Sequence, residues 1–305
     1  MSLNPVRRID TAHPTREGAG VNLHRAFGFG DTDLTDPFLL FDDFRGDREE
    51  DYIAGFPWHP HRGIETVTYV LAGTVDHGDS LGNSGTLGAG SIQWMTAGSG
   101  IVHQEMPKGD ELGRMHGFQL WANLPRELKM SDPRYQDIPG EQIAVRSEDD
   151  GTIIRVLCGE YGGIRGPVDG IAAAPRYLDI TVPPGRTKSF PMDLQSRAFA
   201  YVFEGSGSFR GASDPQPVPY EVEEGVIAHK PVEVDNRSIV VFDSGDEVRV
   251  AAGEEGLRFL LVSGRPIREP VAWYGPIVMN TQAELQQAFT EFQQGTFIKK
   301  SGRFA

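Results

Sequence analysis

Two pairs of potential metal ligands, each spaced two residues apart, lie between residues 58 and 105. The first pair is His59 and His61, and the second pair is His103 and Glu105. Residues i and i+2 of an extended strand project from the same face of a sheet. On two neighbouring strands, these pairs would aim three imidazoles and one carboxylate at one point. The pattern therefore predicts a mononuclear metal centre inside a small β-barrel, and the donors suit a divalent first-row metal.

Short strands separated by glycine are the main signal in the rest of the chain. The 305 residues include 37 Gly and 21 Pro, which favours many turns over long helices. The segments 36–44, 66–71, 91–95 and 115–123 are rich in β-branched and aromatic residues. We therefore predict an all-β protein made of barrels or sandwiches.

Part of this strand pattern occurs twice. The motif at Tyr69–Gly73 returns at Tyr201–Gly205, 132 positions later, and that of Ser91-Ile92 returns at Ser238-Ile239, 147 positions later. Self-similarity at this spacing indicates a duplicated domain. Carried across at these offsets, the four ligand positions fall on Pro191, Asp193, Val250 and Ala252. We therefore expect the second copy to bind no metal.

The proposed division is a metal-binding domain at 1–132, a linker at 133–141 and a second domain at 142–305. The linker contains two prolines among polar residues and has no clear period. The sequence Thr281-Gln-Ala-Glu284 has the form of a capping box, and apolar residues then recur at helical spacing. We predict a C-terminal helix over 282–294, ended by Gly295.

Charge and cysteine content exclude several classes of function. The net charge of −14 disfavours direct nucleic-acid binding, because an acidic surface repels phosphate. No apolar run approaches the roughly 20 residues that span a bilayer, so no membrane segment is expected. The single cysteine, Cys158, cannot form an intramolecular disulfide and fits a reducing compartment, so we expect a cytoplasmic protein. Cys158 lies in an apolar strand and is interpreted as a buried structural thiol.

Several segments together resemble a known family. The matching segments are residues 59–67, 79–83, 93–98, 100–107, 263–271 and 275–281. The first half resembles a cupin, and the whole chain resembles the pirin family of bicupins. This resemblance implies two cupin barrels (double-stranded β-helices, or jelly rolls) packed face to face, with iron in the N-terminal barrel. It places the family's ligands on His59, His61, His103 and Glu105.

The resemblance implies two different functions. Some bacterial relatives are similar to quercetin 2,3-dioxygenases, which open a flavonol ring with O2 and release carbon monoxide. Eukaryotic relatives are nuclear, redox-sensitive transcriptional co-regulators. We favour the dioxygenase, with a flavonol-like substrate and Glu105 as the catalytic base. The alternative is a non-catalytic, iron-binding regulator that docks a protein partner on its acidic surface. The metal is expected to be Fe(II), with Zn, Mn, Ni, Co or Cu as alternatives.

The other polar candidates are expected to lie outside the ligand set. Glu65 is interpreted as a non-ligand that orients an imidazole or is solvated, and His77 as a turn residue. His116 and Gln119 are three apart on one strand, so they should lie on opposite faces and at most one should reach the cavity.

Two tryptophans and an acidic segment complete the expectations. Trp94 is expected to pack in the core, whereas Trp58 could line a pocket. The acid-rich stretch 42–51 lacks the ligand pattern of an EF-hand and is interpreted as a solvated loop.

Overall fold

The computed structural model describes residues 2–210 and 233–299. In chain order, its strands are β1 (Val6–Thr11), β2 (His13–Glu17), β3 (Val21–Phe27), β4 (Phe38–Asp43), β5 (Phe56–His61), β6 (Ile64–Ala72), β7 (Thr74–Asp79), β8 (Ser84–Leu87), β9 (Ile92–Thr96), β10 (Ile101–Lys108), β11 (His116–Asn123), β12 (Arg134–Ile138), β13 (Ala144–Ser147), β14 (Ile153–Cys158), β15 (Glu160–Tyr161), β16 (Ile164–Arg165), β17 (Arg176–Val182), β18 (Thr187–Pro191), β19 (Arg197–Arg210), β20 (Glu233–Val234), β21 (Ser238–Phe242), β22 (Glu247–Gly264), β23 (Ala272–Tyr274) and β24 (Ile277–Met279). The helices are α1 (Thr32–Thr35), α2 (Glu49–Tyr52) and α3 (Gln282–Gln293). Among these described residues, no helix has the length and apolar character needed to cross a membrane.

The first barrel consists of two antiparallel layers. One layer is a seven-stranded sheet in the order β12-β9-β6-β11-β4-β3-β2, and the other is a four-stranded sheet in the order β5-β10-β7-β8. The predicted strand segments 36–44, 66–71, 91–95 and 115–123 are occupied by β4, β6, β9 and β11, which are all in the larger sheet. The smaller sheet carries both predicted ligand pairs, on β5 and β10.

The second barrel repeats this plan with longer strands. Its nine-stranded sheet contains β19 and β22, of 14 and 18 residues, and each of them contributes to both layers. The N-terminal part of β22 pairs with β18 and with the C-terminal part of β19, which in turn pairs with β20. This order matches β5-β10-β7-β8, so the duplication predicted from the sequence is confirmed.

The large sheets of the two barrels pack face to face. One buried apolar cluster contains residues of both sheets: Phe27, Phe41, Val67, Trp94 and Phe118 from the first, and Leu157, Tyr177, Phe199, Ile239 and Leu260 from the second. A side chain of this size contributes about 1.5–3 kcal/mol when it is fully buried. The all-β fold with two facing barrels and a C-terminal helix is therefore confirmed.

Two segments lie in places that the predicted domain boundaries do not anticipate. β1 pairs with β21 of the second barrel, although residues 1–132 were assigned to the first domain. Residues 134–138, assigned to the linker, form β12 and pair with β9 of the first barrel. The linker prediction gave residues 134–138 no strand, so β12 was missed, and local sequence does not show which strand β1 would pair with. The division into 1–132 and 142–305 stays a prediction.

Strand pairing tests which residues of the second barrel stand where the first barrel has its predicted ligands. In the first barrel, His59 lies opposite His103 and His61 lies opposite Ile101. In the second barrel, β18 pairs with β22 so that Lys188 lies opposite Val250 and Pro191 lies opposite Glu247. Pro191 and Val250, the positions that the sequence offsets assign to His59 and His103, therefore do not face each other, so the two offsets cannot both hold. Phe190, Val250 and Ala252 belong to the apolar core that fills the second barrel.

The C-terminal helix begins and ends almost where it was predicted. Thr281 accepts a hydrogen bond from the backbone of Glu284, and the Glu284 carboxylate accepts one from the backbone of Thr281. Leu285 and Ala288 are the buried residues of α3, and they pack against Ile277. The helix therefore folds onto the β23–β24 hairpin.

Candidate metal centre

The two predicted ligand pairs lie on adjacent antiparallel strands. β5 and β10 pair so that His59 is directly opposite His103, with a register shift between His103 and Glu105. Residues directly opposite each other in such a ladder share one face of the sheet. The three imidazoles therefore project from one face of the small sheet and meet, as the i, i+2 spacing predicts.

The three histidines form a compact cluster. One potential ligand atom from each of His59, His61 and His103 lies within 4.8 Å of the other two. The ring centroids of His59 and His103 are 4.4 Å apart, and those of His61 and His103 are 5.0 Å apart. His61 and His103 are buried and His59 is half-buried, so the cluster sits at the wall of the barrel with one open side.

Backbone carbonyls fix the tautomers of two of these rings. His59 Nδ1 lies 2.8 Å from the carbonyl oxygen of Pro57, and His61 Nδ1 lies 3.1 Å from that of Pro276. A carbonyl oxygen can only accept, so both Nδ1 atoms carry the proton. The two Nε2 atoms are 3.0 Å apart, and their lone pairs then face each other. A cation between them removes this repulsion.

The ring nitrogens of His103 are the clearest evidence that the cluster binds a ligand. Both nitrogens are buried and have no hydrogen-bond partner among the described residues. Buried polar atoms are nearly always satisfied, so this ring requires a ligand that its protein neighbours do not provide. Burial also holds the pKa values of His61 and His103 well below 6.5, with the neighbouring histidines adding to the effect. Neutral imidazoles are the form that binds a divalent metal, so these residues fit such an ion.

Glu105 lies beside the cluster but is not one of its three members. Its side chain is buried, and its Oε1 accepts a hydrogen bond of 2.8 Å from the Thr68 hydroxyl. The same hydroxyl lies 3.0 Å from the amide oxygen of Gln119. Burial raises the pKa of Glu105, which makes it a stronger base than an exposed carboxylate. Its predicted role as fourth ligand stays a prediction.

A cavity of about 690 Å³ opens onto the cluster. His59, His61 and Glu105 line one end of it. Its apolar and aromatic walls are formed by Leu23, Phe29, Leu40, Phe44, Phe56, Trp121, Trp273 and Tyr274. A pocket of this size and character can enclose a planar molecule of two or three rings.

Charged residues at another part of the cavity were missed by the sequence analysis. Arg25 donates two hydrogen bonds of 2.8 Å to the buried carboxylate of Asp42 and one of 2.9 Å to Glu17. Asp42 had been placed in a solvated loop, but Asp42 and Asp43 are buried at the end of β4. The loop prediction was therefore wrong for Asp42 and Asp43, because the strand continues through them, whereas residues 47–50 are exposed as predicted.

The predictions for the polar residues near the ligand strands are only partly confirmed. Glu65 is buried and its Oε1 accepts from Thr96, so it is neither solvated nor seen bonding an imidazole. His77 is a buried residue of β7 and not a turn residue, and its ring stacks on Tyr135. His116 packs against Phe118 at the interface between the barrels, whereas Gln119 lines the cavity. The prediction for His116 and Gln119 is therefore confirmed.

The aromatic and thiol predictions are mostly confirmed. Trp94 is buried in the core between the barrels, and Cys158 is buried with a pKa raised by burial to about 12. Trp58 is 55% exposed and is not among the cavity-lining residues, so that suggestion was wrong. Trp121 and Trp273 line the cavity instead. The position of Trp121 could have been predicted from the sequence, because it lies two residues after Gln119 on one strand and therefore on the same face.

Comparisons with known proteins agree with this architecture. The family model described as Pirin matches residues 20–122, and the model described as Pirin C-terminal cupin domain matches residues 177–298. The chain belongs to the pirin family. A pirin-like protein of Caulobacter vibrioides is 44% identical over 298 residues, which cover 97% of this chain and 100% of that protein. The two family models thus match the first and the second barrel in turn.

Two further similar proteins carry an enzyme name. A Pseudomonas aeruginosa protein named "Putative quercetin 2,3-dioxygenase" is 37% identical over 294 residues, covering 95% of this chain and 96% of that protein. The crystal structure of a quercetin 2,3-dioxygenase from Acinetobacter baumannii superposes with a TM-score of 0.82 at 28% identity, covering 97% of this chain and 99% of that one.

Proposed function

We propose that this protein is a metal-dependent dioxygenase that opens the ring of a flavonol such as quercetin with O2. The observation that carries the proposal is the cluster of three imidazole rings beside an aromatic-walled cavity. The enzyme names of the relatives from Pseudomonas aeruginosa and Acinetobacter baumannii support the same chemistry.

His59, His61 and His103 would hold the metal, with Glu105 as the fourth ligand. When bound, the metal would lower the pKa of a coordinated hydroxyl group and provide sites for O2 and substrate. Fe(II) is the ion we propose, and Zn, Mn, Ni, Co and Cu are the alternatives. Elemental analysis of the protein as isolated would identify it.

The protein's own residues would bind and deprotonate the substrate. Trp121 and Trp273 offer ring faces and edges against which a planar flavonol packs. Glu105 would accept the proton of the flavonol 3-hydroxyl group, and its raised pKa suits this task. Thr68 fixes the Oε1 side of the carboxylate, which leaves Oε2 to take the proton. The electron-rich flavonolate then reacts with O2 in an enclosed site, and the ring opens with release of carbon monoxide.

The test is to incubate iron-loaded protein with quercetin under air and follow the loss of flavonol absorbance and the formation of carbon monoxide. Wild type should consume quercetin, and Glu105→Gln should be slower by about 10²–10⁴-fold, the usual contribution of a general base. His103→Ala should lose both metal and turnover.

Unchanged absorbance with iron-loaded wild type would overturn the enzymatic proposal. In that case, the alternative of a redox-sensitive regulator gains weight. It would be tested by recovering a protein partner with Fe(II)- and Fe(III)-loaded protein and with metal-free protein as the control.

A further inference from the structure

The C-terminal segment, residues 271–298, packs on the first barrel. Val278 is part of an apolar cluster with Leu39, Ile64, Met95, Ala97 and Ile101, all from that barrel. Ile277 forms a parallel bridge with Arg62, which directly follows a predicted ligand. The segment therefore lies against the end of the ligand strand β5.

Arg62 ties the ligand strand to this segment from inside the protein. It is only 2% exposed. Its Nε donates to the Ser99 carbonyl at 2.7 Å, and its two terminal nitrogens donate to Glu291 at 2.7 Å and to the Phe297 carbonyl at 2.8 Å. The guanidinium carbon also lies 4.2 Å from the centroid of the Phe297 ring. One buried cation thus joins β5 to helix α3 and the residues after it.

A second buried basic side chain holds the same junction. Lys129 is 1% exposed, and its Nζ contacts the carbonyls of Gly63 at 2.8 Å and Val278 at 3.1 Å, as well as Asn123 Oδ1 at 2.7 Å. Gly63 has φ +77°, and a Cβ there would lie 2.0 Å from the Val278 carbonyl oxygen. The two backbones can approach this closely only with glycine at that position.

This junction places one backbone group, the Pro276 carbonyl, beside the predicted metal centre. Val278 N donates to the Arg62 carbonyl at 3.1 Å, and two residues earlier the Pro276 carbonyl accepts from His61 Nδ1. Trp273 of the segment packs on Trp121, whose ring meets the His61 ring at 5.0 Å and 84°. The C-terminal segment therefore contacts His61 directly and through one tryptophan.

We propose that residues 271–298 position His61 for metal binding, with Arg62, Lys129 and Glu291 as the residues that hold the segment in place. By keeping the proton on Nδ1, the Pro276 carbonyl presents the lone pair of Nε2 to the metal. The first barrel is thus incomplete without the last thirty or so residues of the described chain. This inference rests on the metal binding proposed above.

The test uses Co(II) as the probe and two variants that loosen the junction. Arg62→Lys keeps the charge but cannot reproduce the three directed hydrogen bonds, and Glu291→Gln weakens one of them at a less buried site. Each should lower the Co(II) affinity, measured by competition with a chromogenic chelator, by about tenfold, as expected for residues that orient a ligand. In metal-free protein, ¹⁵N spectra should show the His61 proton moving partly from Nδ1 to Nε2.

Thr281→Ala is the matched control, because it removes the cap of α3 without touching Arg62. It should lower stability by about 1 kcal/mol and leave Co(II) affinity and the His61 tautomer unchanged. Equal affinity and an unchanged tautomer in Arg62→Lys and Glu291→Gln would overturn the inference. So would an equal loss of affinity in Thr281→Ala. If wild type binds no Co(II), the proposed function fails, and the tautomer measurement still decides the role of the segment.

Discussion

Tyr69 of the first barrel donates a buried hydrogen bond of 2.8 Å to Asp179 of the second. The reverse bond also exists, because Tyr201 of the second barrel donates to Asp43 of the first at 3.0 Å. Each carboxylate is in addition paired with an arginine, Arg258 with Asp179 and Arg45 with Asp43. The facing sheets are therefore joined by two reciprocal polar contacts within an apolar interface.

Strand register shows that these two contacts are equivalent. Asp43 and Tyr69 both lie opposite Phe118, on its two sides in the sheet. Asp179 and Tyr201 lie in the same way opposite Leu260. Exchanging the barrels therefore exchanges the two bonds, as expected if the interface arose with the duplication.

Removing either tyrosine hydroxyl should destabilise the protein. Tyr69→Phe and Tyr201→Phe each lose a buried hydrogen bond to a carboxylate, which is worth about 2 kcal/mol in the free energy of unfolding. The matched control is Tyr177→Phe, because the Tyr177 hydroxyl is buried in the same interface without a partner among the described residues. That variant should be as stable as wild type or more so. Urea unfolding of the three variants measures the differences, and a loss as large in Tyr177→Phe as in the others would contradict this account.

His103→Leu should separate folding from metal binding. The substitution removes two buried nitrogens that lack partners, so metal-free protein should gain about 1 kcal/mol of stability. Wild type should gain about 2.7 kcal/mol at a Ni(II) concentration one hundred times its dissociation constant, and the variant should gain almost none. His116→Leu, outside the cluster, is the control and should keep the response to Ni(II). Thermal unfolding with and without Ni(II) gives both quantities, and a variant still stabilised like wild type would exclude His103 as a ligand.

Thr68→Val should slow turnover without releasing metal. The change removes the hydrogen bond to Glu105 Oε1, and the carboxylate then samples other rotamers. We expect kcat for quercetin to fall by about tenfold, the low end of the range for residues that hydrogen-bond to metal ligands, while metal content stays constant. Thr66→Val is the control, since Thr66 lies two residues earlier on the same strand, is equally buried and has no bond to Glu105 among the described residues. Equal rates for Thr68→Val and wild type would remove Thr68 from the mechanism.

The three-histidine cluster could be predicted because it depends on local spacing. His59 and His61 share a face by strand geometry, and only the pairing of β5 with β10 had to be assumed. Trp94 and Cys158 were placed correctly because their neighbours in sequence are apolar. These predictions need only the period of a strand and the burial preference of a side chain.

Features that depend on which strands pair could not be predicted. The position of β1 in the second sheet and of β12 in the first is set by the tertiary fold. For the same reason, the sequence gives no sign that Arg25 would neutralise Asp42, or that Pro276 would reach His61. These contacts join residues 17 and 215 positions apart.

Glu65 should make stability depend on pH near neutrality. It faces the second barrel, on the same side of β6 as Val67 and Tyr69, and burial raises its pKa to about 7 against the opposing hydrogen bond from Thr96. The folded protein therefore binds this proton more tightly than the unfolded chain, whose carboxyl group has a pKa near 4.5. The contribution of this proton to the free energy of unfolding is fully present below pH 4.5 and is lost as the pH rises through 7.

Glu65→Gln should remove this dependence, because the amide stays neutral and keeps an oxygen for Thr96. Relative to wild type, the variant should gain about 2 to 3 kcal/mol in unfolding free energy between pH 5 and pH 8. Urea unfolding of both proteins at several pH values gives the difference in their unfolding free energies. The contributions of all other titratable groups are the same in both proteins and cancel in this difference. Parallel stability curves for the two proteins would show that Glu65 titrates alike in the folded and unfolded states, in spite of its burial.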